Sequence, residues 1–198
     1  MRISNIKVYD LEESIVASGF PKLCKYPTSE EFTVATVSVS KDGRESDHLK
    51  RMIKLSSAPD GSGHKNALKG ILVAMNIQAS NKWWIQAERY SHFNIVSSMS
   101  TQHRLRELID NDEISFARDT SLVAISDFII YANENPDLSS SELSFSVPAG
   151  MELTARVTTN YLQLRTMWMQ RKDHKLWEWR NFCDTIATLP YADVFITN

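Results

Sequence analysis

The chain has 198 residues, a formal net charge of −2, and 42% hydrophobic against 23% charged residues. That length suits a single domain over 1–198, and that composition supports a packed core and argues against disorder. The slightly negative charge argues against a coat for nucleic acid, and no apolar run is long enough to span a bilayer, so neither nucleic acid nor a membrane is expected as a partner.

The N-terminal stretch MRISNIKVYDLEES meets acidic residues before any apolar segment forms, so it does not read as a signal peptide. Cys24 and Cys183 have no metal-type spacing and no neighbouring pattern for a nucleophile. Reduced thiols in a cytoplasmic protein are the expectation.

In chain order, Arg2 to Tyr9 alternates as a strand with Ile3, Ile6 and Val8 as its apolar residues. Glu31 to Ser40 is rich in β-formers and reads as a second strand, ended by the turn Lys41-Asp42-Gly43. Asp47 to Leu55 is predicted helical, with Leu49, Met52 and Ile53 on one face. Ala58 to Gly63 is a loop, and His64 opens a short helical turn. Gly70 to Ser80 alternates so that Ile71, Val73, Met75 and Ile77 share one face of a strand. Asn81 is the expected cap of a helix from Lys82 that carries Trp83, Trp84, Ala87 and Tyr90. His92 to Ser100 reads as a loop, and Thr101 to Asp110 as the next helix.

Ser121 to Asn133 is a strongly apolar helix, Asn135 to Ser141 a loop, and Val147-Pro148-Ala149-Gly150 a turn. Met151 to Val157 reads as a short strand. Thr158 or Thr159 is the expected cap of a helix from Asn160 to about Arg171. Asp173 is the expected cap of a last helix from His174 to about Thr188, stopping before Pro190. Strands and helices without regular βαβ alternation indicate an α+β fold.

Two segments make poor core material. HFNIVSSMSTQHRL, His92 to Leu105, enters a helix through hydroxyl-bearing residues with Arg104 close by. Backbone N–H groups, hydroxyls and a guanidinium together suit a phosphate, although an ordinary cap with a solvated arginine is the commoner meaning of such a run. RKDHKLWEWR, Arg171 to Arg180, places Arg171 near a helix junction, with Glu178 able to pair with it or with Arg180. Surface ion pairs alone explain that pattern too. The five tryptophans read as core or interface anchors rather than cofactor platforms.

In order and separation, these segments resemble the signature regions of the flavin-dependent thymidylate synthases, whose signature has the form RHRxxSxNxxSxRY. Ser97 falls on the first signature serine and Arg104 on the arginine before the final tyrosine. Upstream, His64, the alternating strand and the stretch from Trp84 to Arg89 follow the family's order. Downstream, Asn160, Leu164, Arg171 and the run HKLWE follow its Asn, Leu, Arg and HAQWE. The likeness spans His64 to Ile186.

The resemblance implies the thymidylate-synthase-complementing (ThyX-like) fold, with a mixed sheet and several helices. It implies a homotetramer that methylates dUMP with methylenetetrahydrofolate, using FAD and NADPH and no cysteine nucleophile. By the same resemblance Arg171 and Ser97 are catalytic, while Arg89, Ser100, Gln102, Arg104 and Arg171 bind the nucleotide. His64, His92, Asn94, Asn160 and His174 are assigned to the cofactor. The departures are specific. The RHR triplet is His92-Phe93-Asn94, the signature Asn is Met99, the second serine is Gln102 and the final tyrosine is Leu105. Ser144 stands where an arginine is expected before Pro148, and Leu162 where an arginine is expected two residues after Asn160. Nucleotide positions are better kept than flavin positions. A pyrimidine nucleotide hydroxymethylase and a non-catalytic nucleotide-binding homo-oligomer of the same fold are therefore alternatives.

Overall fold

The fold is given by a computed structural model that describes residues 1–24, 46–59 and 61–198. The strand and turn expected over 31–43 lie outside the described residues. Among the described residues four strands, β1 (Arg2–Tyr9), β2 (Leu72–Ser80), β3 (Asn94–Ser98) and β4 (Glu152–Asn160), form one antiparallel sheet in the order β1-β2-β4-β3. β2 and β4 run in opposite directions. The Asn81 N–H donates to the Met151 carbonyl at one end (2.8 Å), and the Tyr161 N–H to the Ile71 carbonyl at the other (3.0 Å). The face predicted for β2 is the buried one, with Ile71, Val73, Met75 and Ile77 all shut off from solvent.

The helices are α1 (Leu11–Ala17), α2 (Asp47–Ser56), α3 (Asn81–Ala87), α4 (Thr101–Asp110), α5 (Leu122–Glu134), α6 (Ser140–Ser144), α7 (Tyr161–Arg171), α8 (Trp177–Ile186) and α9 (Ala192–Phe195). Short 3₁₀ turns occupy Phe20–Lys22 and His64–Lys69.

Several expectations are corrected. The segment read as a loop from His92 to Ser100 contains β3, because Ile95 and Val96 are β-branched and the backbone docks on β4, with the Met99 N–H donating to the Thr154 carbonyl (2.9 Å). α3 is capped by Ser80 rather than Asn81, since the Ser80 hydroxyl accepts from the Trp83 N–H (3.2 Å). β4 runs three residues beyond Val157, so Thr158 and Thr159 stay extended and Asn160 caps α7. Asp173 caps nothing. α8 starts only at Trp177, because the Leu176 N–H donates to the His174 ring at Nδ1 (3.1 Å) and Arg180 binds the Lys175 carbonyl (3.1 Å). α6 begins at the end of the segment expected to be the loop Asn135 to Ser141. Its Ser139–Glu142 capping box is the signal that the sequence carried.

The chain divides into two compact units, one of residues 1–5 and 75–157, the other of 6–74 and 158–198. In the first, Leu105, Ile109, Phe128, Ala132, Leu143 and Met151 form one apolar cluster among α4, α5, α6 and the start of β4. Full burial of each large member contributes on the order of 1.5–3 kcal/mol. Arg106 ties α4 to the end of α5, donating to the carbonyls of Ala132 (3.0 Å) and Asn135 (2.7 Å) that the helix itself leaves unpaired. The apolar pattern of α5 does not mean burial. Phe128 and Ala132 are inside, whereas Leu122 and Val123 are 81% and 69% exposed.

In the second unit, α7 and α8 bury Tyr161, Leu164, Met167, Trp179, Phe182 and Ile186. The Tyr161 hydroxyl donates to the Pro190 carbonyl (2.8 Å), which satisfies the one polar atom of a buried ring. Burial raises the Tyr161 phenol above its ordinary range. Among the described residues, no helix is long and apolar enough to cross a membrane.

Candidate functional site

The first unit carries Arg89, His92, Asn94, Ser97, Ser100, Gln102 and Arg104. β3 is an edge strand, and all five of its residues, Asn94 and Ser97 included, are exposed. Phe93, in the place of the signature histidine, is buried edge-on against Trp83, with ring centroids 6.0 Å apart. That position is a core anchor here, so the departure at Phe93 has a packing reason. His92 is exposed just before it, and Arg89 is exposed beyond the end of α3.

Ser100 occupies the cap position of α4 without a side-chain cap bond. Gln102, at the second signature serine, is engaged by α6. Its side-chain N–H donates to the Ser144 hydroxyl (3.3 Å) and its oxygen accepts from Ser141 (2.7 Å). Thus Ser144, which replaces an expected arginine, meets the residue that replaces a signature serine. Arg104 is ion-paired with Glu107 one turn along α4. Arg104 and Ser100 line a small cavity of about 170 Å³ with Met99, Leu108, Glu107 and Glu113. Two carboxylates around one guanidinium leave no surplus positive charge there, and a nucleotide needs a larger space.

The second unit carries His64, Asn160, Arg171 and His174. Asn160 is at a strand-to-helix corner, its side-chain oxygen accepting from the Gln163 N–H (2.9 Å). This bond fixes the amide, and leaves its N–H₂ as the donor for a ligand. Arg171, in the last turn of α7, has its guanidinium 4.7 Å from the centre of the fully buried Trp179 ring. Stacking on an aromatic face holds a guanidinium in place. His174 meets the same indole edge-on, with centroids 6.4 Å apart.

Desolvation, then the nearby Arg171 charge, holds the His174 pKa below the ordinary histidine range. The ring is therefore neutral at neutral pH. Because Nδ1 accepts from Leu176, the proton sits on Nε2, where it can be donated. Protonation is disfavoured in the fold, so this ring's contribution to stability is present above the ordinary histidine range and lost as pH falls through its lowered pKa. α7 and α8 thus bring Arg171, His174 and Trp179 together. His64 opens the 3₁₀ turn in the wall of a separate cavity of about 890 Å³ in this unit.

No family model matches the chain, and no curated protein matches it. Among solved structures, it is similar to flavin-dependent thymidylate synthase ThyX from Helicobacter pylori complexed with FAD and dUMP. The TM-score is 0.71 at 14% sequence identity, covering 99% of this chain and 98% of that one. A second structure of the Helicobacter pylori enzyme with FAD and dUMP matches with the same TM-score and identity, covering 100% and 98%. The chain has the fold of the flavin-dependent thymidylate synthases. At this identity the likeness is one of fold, and any activity must be argued from the residues themselves.

Sequence reasoning missed three features of these surroundings. The aromatic seat of Arg171 was hidden because Trp179 lies eight residues on, across a helix junction. The Glu107 partner of Arg104 stands at i, i+3 spacing, where opposite charges meet on a helix. The cations that line the larger cavity, Lys22, Arg51 and Lys54, belong to no motif.

The cysteines differ sharply. Cys24 is exposed, whereas Cys183 is buried in α8 and its thiol is pushed up to about 12, first by desolvation and then by Asp184. A thiol-reactive reagent at pH 8 is expected to label one cysteine quickly and the second only on unfolding. Rapid modification of both in the folded protein would contradict the burial of Cys183.

Proposed function

We propose that the chain is a flavin-dependent, thymidylate-synthase-like enzyme. In this reading it methylates dUMP with a one-carbon unit from methylenetetrahydrofolate, with NADPH as the reductant. The whole-length likeness to enzymes that hold FAD and dUMP carries the reading. The second unit supports it locally. Arg171 is a fixed, stacked cation for the anionic part of the nucleotide, and neutral His174 beside it is a donor. Asn160 offers its amide N–H₂ and His64 its ring to the cofactor. FAD, when bound, would supply hydride to the transferred carbon. The cofactor fits the second unit better than β3, where the signature triplet has become His92-Phe93-Asn94. Ser97 has no histidine or carboxylate partner among the described residues. In this reading its exposed hydroxyl positions a ligand and is not an activated nucleophile.

A homotetramer is part of the proposal. Exposed Leu122, Val123 and Ile130 on α5, and exposed Val96 on edge strand β3, are surfaces that association with further copies would cover. A second reading, a nucleotide-binding homo-oligomer without redox chemistry, is favoured by the Arg104–Glu107 pair and the lost signature arginines.

The visible absorbance of the purified protein, taken before and after adding FAD and then dUMP, separates the two. An oxidised-flavin band that is retained and shifts with dUMP is expected of the enzyme. Binding of dUMP by a protein that never retains flavin would sink the enzymatic reading and leave the second.

A further inference from the structure

Of the two charged side chains on α7, Arg165 and Arg171, only Arg165 is enclosed. It stands at the middle of the helix, is 8% exposed, and is flanked along the chain by the fully buried Leu164 and Met167. Its Nε and Nη1 are shut off from solvent and make no hydrogen bond. The side chains one turn away on α7 are Tyr161, Leu162, Trp168 and Met169, and none of them is acidic. No ion pair of Arg165 occurs among the described residues.

A buried lysine or histidine can relieve such a position by shedding its proton. A guanidinium stays protonated, so the charge persists inside the fold. An enclosed charge without a counter-ion is strongly destabilising, and so is an enclosed N–H without an acceptor. An apolar side chain of similar length would fill the same space without that penalty. The Arg165 guanidinium therefore calls for an acceptor that carries negative charge, and none of the described side chains supplies it. Arg106, on α4, shows the contrast: its two Nη groups donate to carbonyls at the end of α5, and Asp110 stands 3.8 Å from one of them.

We propose that Arg165 is the seat of an oxyanion site, with its Nε and Nη1 N–H groups as donors. The N–H groups of a guanidinium lie in one plane and suit the oxygens of phosphate, each bond being strengthened by charge. The enclosure of the side chain admits a small ion or the phosphate end of a larger molecule. α7 starts at the Asn160 cap and ends at Arg171, so an anion held at its middle braces the helix that positions both. Arg165 matches no position of the signature resemblance, and the site does not require the flavin reading to hold.

The test is thermal unfolding of the full chain, wild type and Arg165→Met, with and without about 10 mM inorganic phosphate at an ionic strength fixed with sodium chloride. Phosphate is expected to raise the wild-type midpoint by about 2–4 °C and to leave that of Arg165→Met where it was. Arg165→Lys, which keeps a charge but not the planar donors, should respond less than wild type. Should Arg165→Met not fold, wild type and Arg165→Lys carry the same comparison. Titration with dUMP and with deoxyuridine then separates the two sources of the anion. A roughly tenfold loss of dUMP affinity in the variant, with deoxyuridine unaffected, would identify the anion as the nucleotide's own phosphate. A lost phosphate response with dUMP binding unchanged, or absent from both proteins, would identify a free anion. Equal stabilisation of wild type and variants by phosphate would overturn the site. So would a wild type that phosphate does not stabilise and whose affinity for dUMP the substitutions leave unchanged.

Discussion

Replacing Arg171 by alanine is expected to raise the dissociation constant for dUMP about 10- to 100-fold, the loss of one charge-assisted contact of roughly 1.5–3 kcal/mol. The thermal midpoint should barely move. The guanidinium is half-buried at the end of α7, and its stacking on Trp179 contributes on the order of 1 kcal/mol. Arg171→Lys separates charge from shape. An ammonium keeps the positive charge but loses the planar, stacked fork, so its affinity should fall between those of wild type and alanine. Titration of the three proteins with dUMP, followed by calorimetry, measures this. If Arg171→Ala binds dUMP as tightly as wild type, Arg171 has no place in the nucleotide site.

Trp179→Ala should have the largest effect on stability. The indole is wholly buried, packs edge-on against Phe182 at 5.8 Å and forms the floor under Arg171. Truncating a core tryptophan typically costs about 3–5 kcal/mol, through lost transfer energy and the cavity left behind. For a chain of this length that lowers the thermal midpoint by roughly 10 °C or more. Nucleotide binding should weaken as well, because Arg171 loses its seat. Trp179→Phe keeps an aromatic face and should be milder in both respects. Urea unfolding of each variant gives the comparison, and a loss below about 1 kcal/mol for Trp179→Ala would show that the α7–α8 junction is packed differently.

These two residues illustrate how much could be read in advance. Arg171 was singled out by its place near a helix junction and by the resemblance of Asn160, Leu164, Arg171 and HKLWE to the thymidylate synthase pattern. Its partner was not, since Trp179 was one of five tryptophans with no sign of which face it would turn inward. Arg104 was the opposite case. Its place in the signature resemblance suggested a phosphate contact, while Glu107 one turn on supplies the counter-charge. A motif records which residue type stands at a position, and electrostatics depends on what stands beside it in space.

Local order was legible where it depends on local physics. β1, α2 and α4 match their expected spans to within a residue, because alternation, a 3.6-residue stripe and a capping hydroxyl are short-range properties. β3 was missed because five exposed, hydroxyl-rich residues become a strand only through pairing with β4. α5 was identified as a helix, but its apolar composition does not tell which side is buried, and Leu122 and Val123 face out.

By itself, then, the sequence determined the α+β class, the spans of β1, α2 and α4, the buried face of β2 and the order of segments that resembles the thymidylate synthases. The tertiary structure alone decided what stands beside each charge. It paired Arg104 with Glu107, stacked Arg171 on Trp179, and gathered Lys22, Arg51 and Lys54 around one apolar-walled cavity. The reason is physical. Hydrogen-bonded local geometry follows from neighbours a few residues apart, whereas desolvation and Coulomb interactions depend on distances in space that no spacing along the chain prescribes.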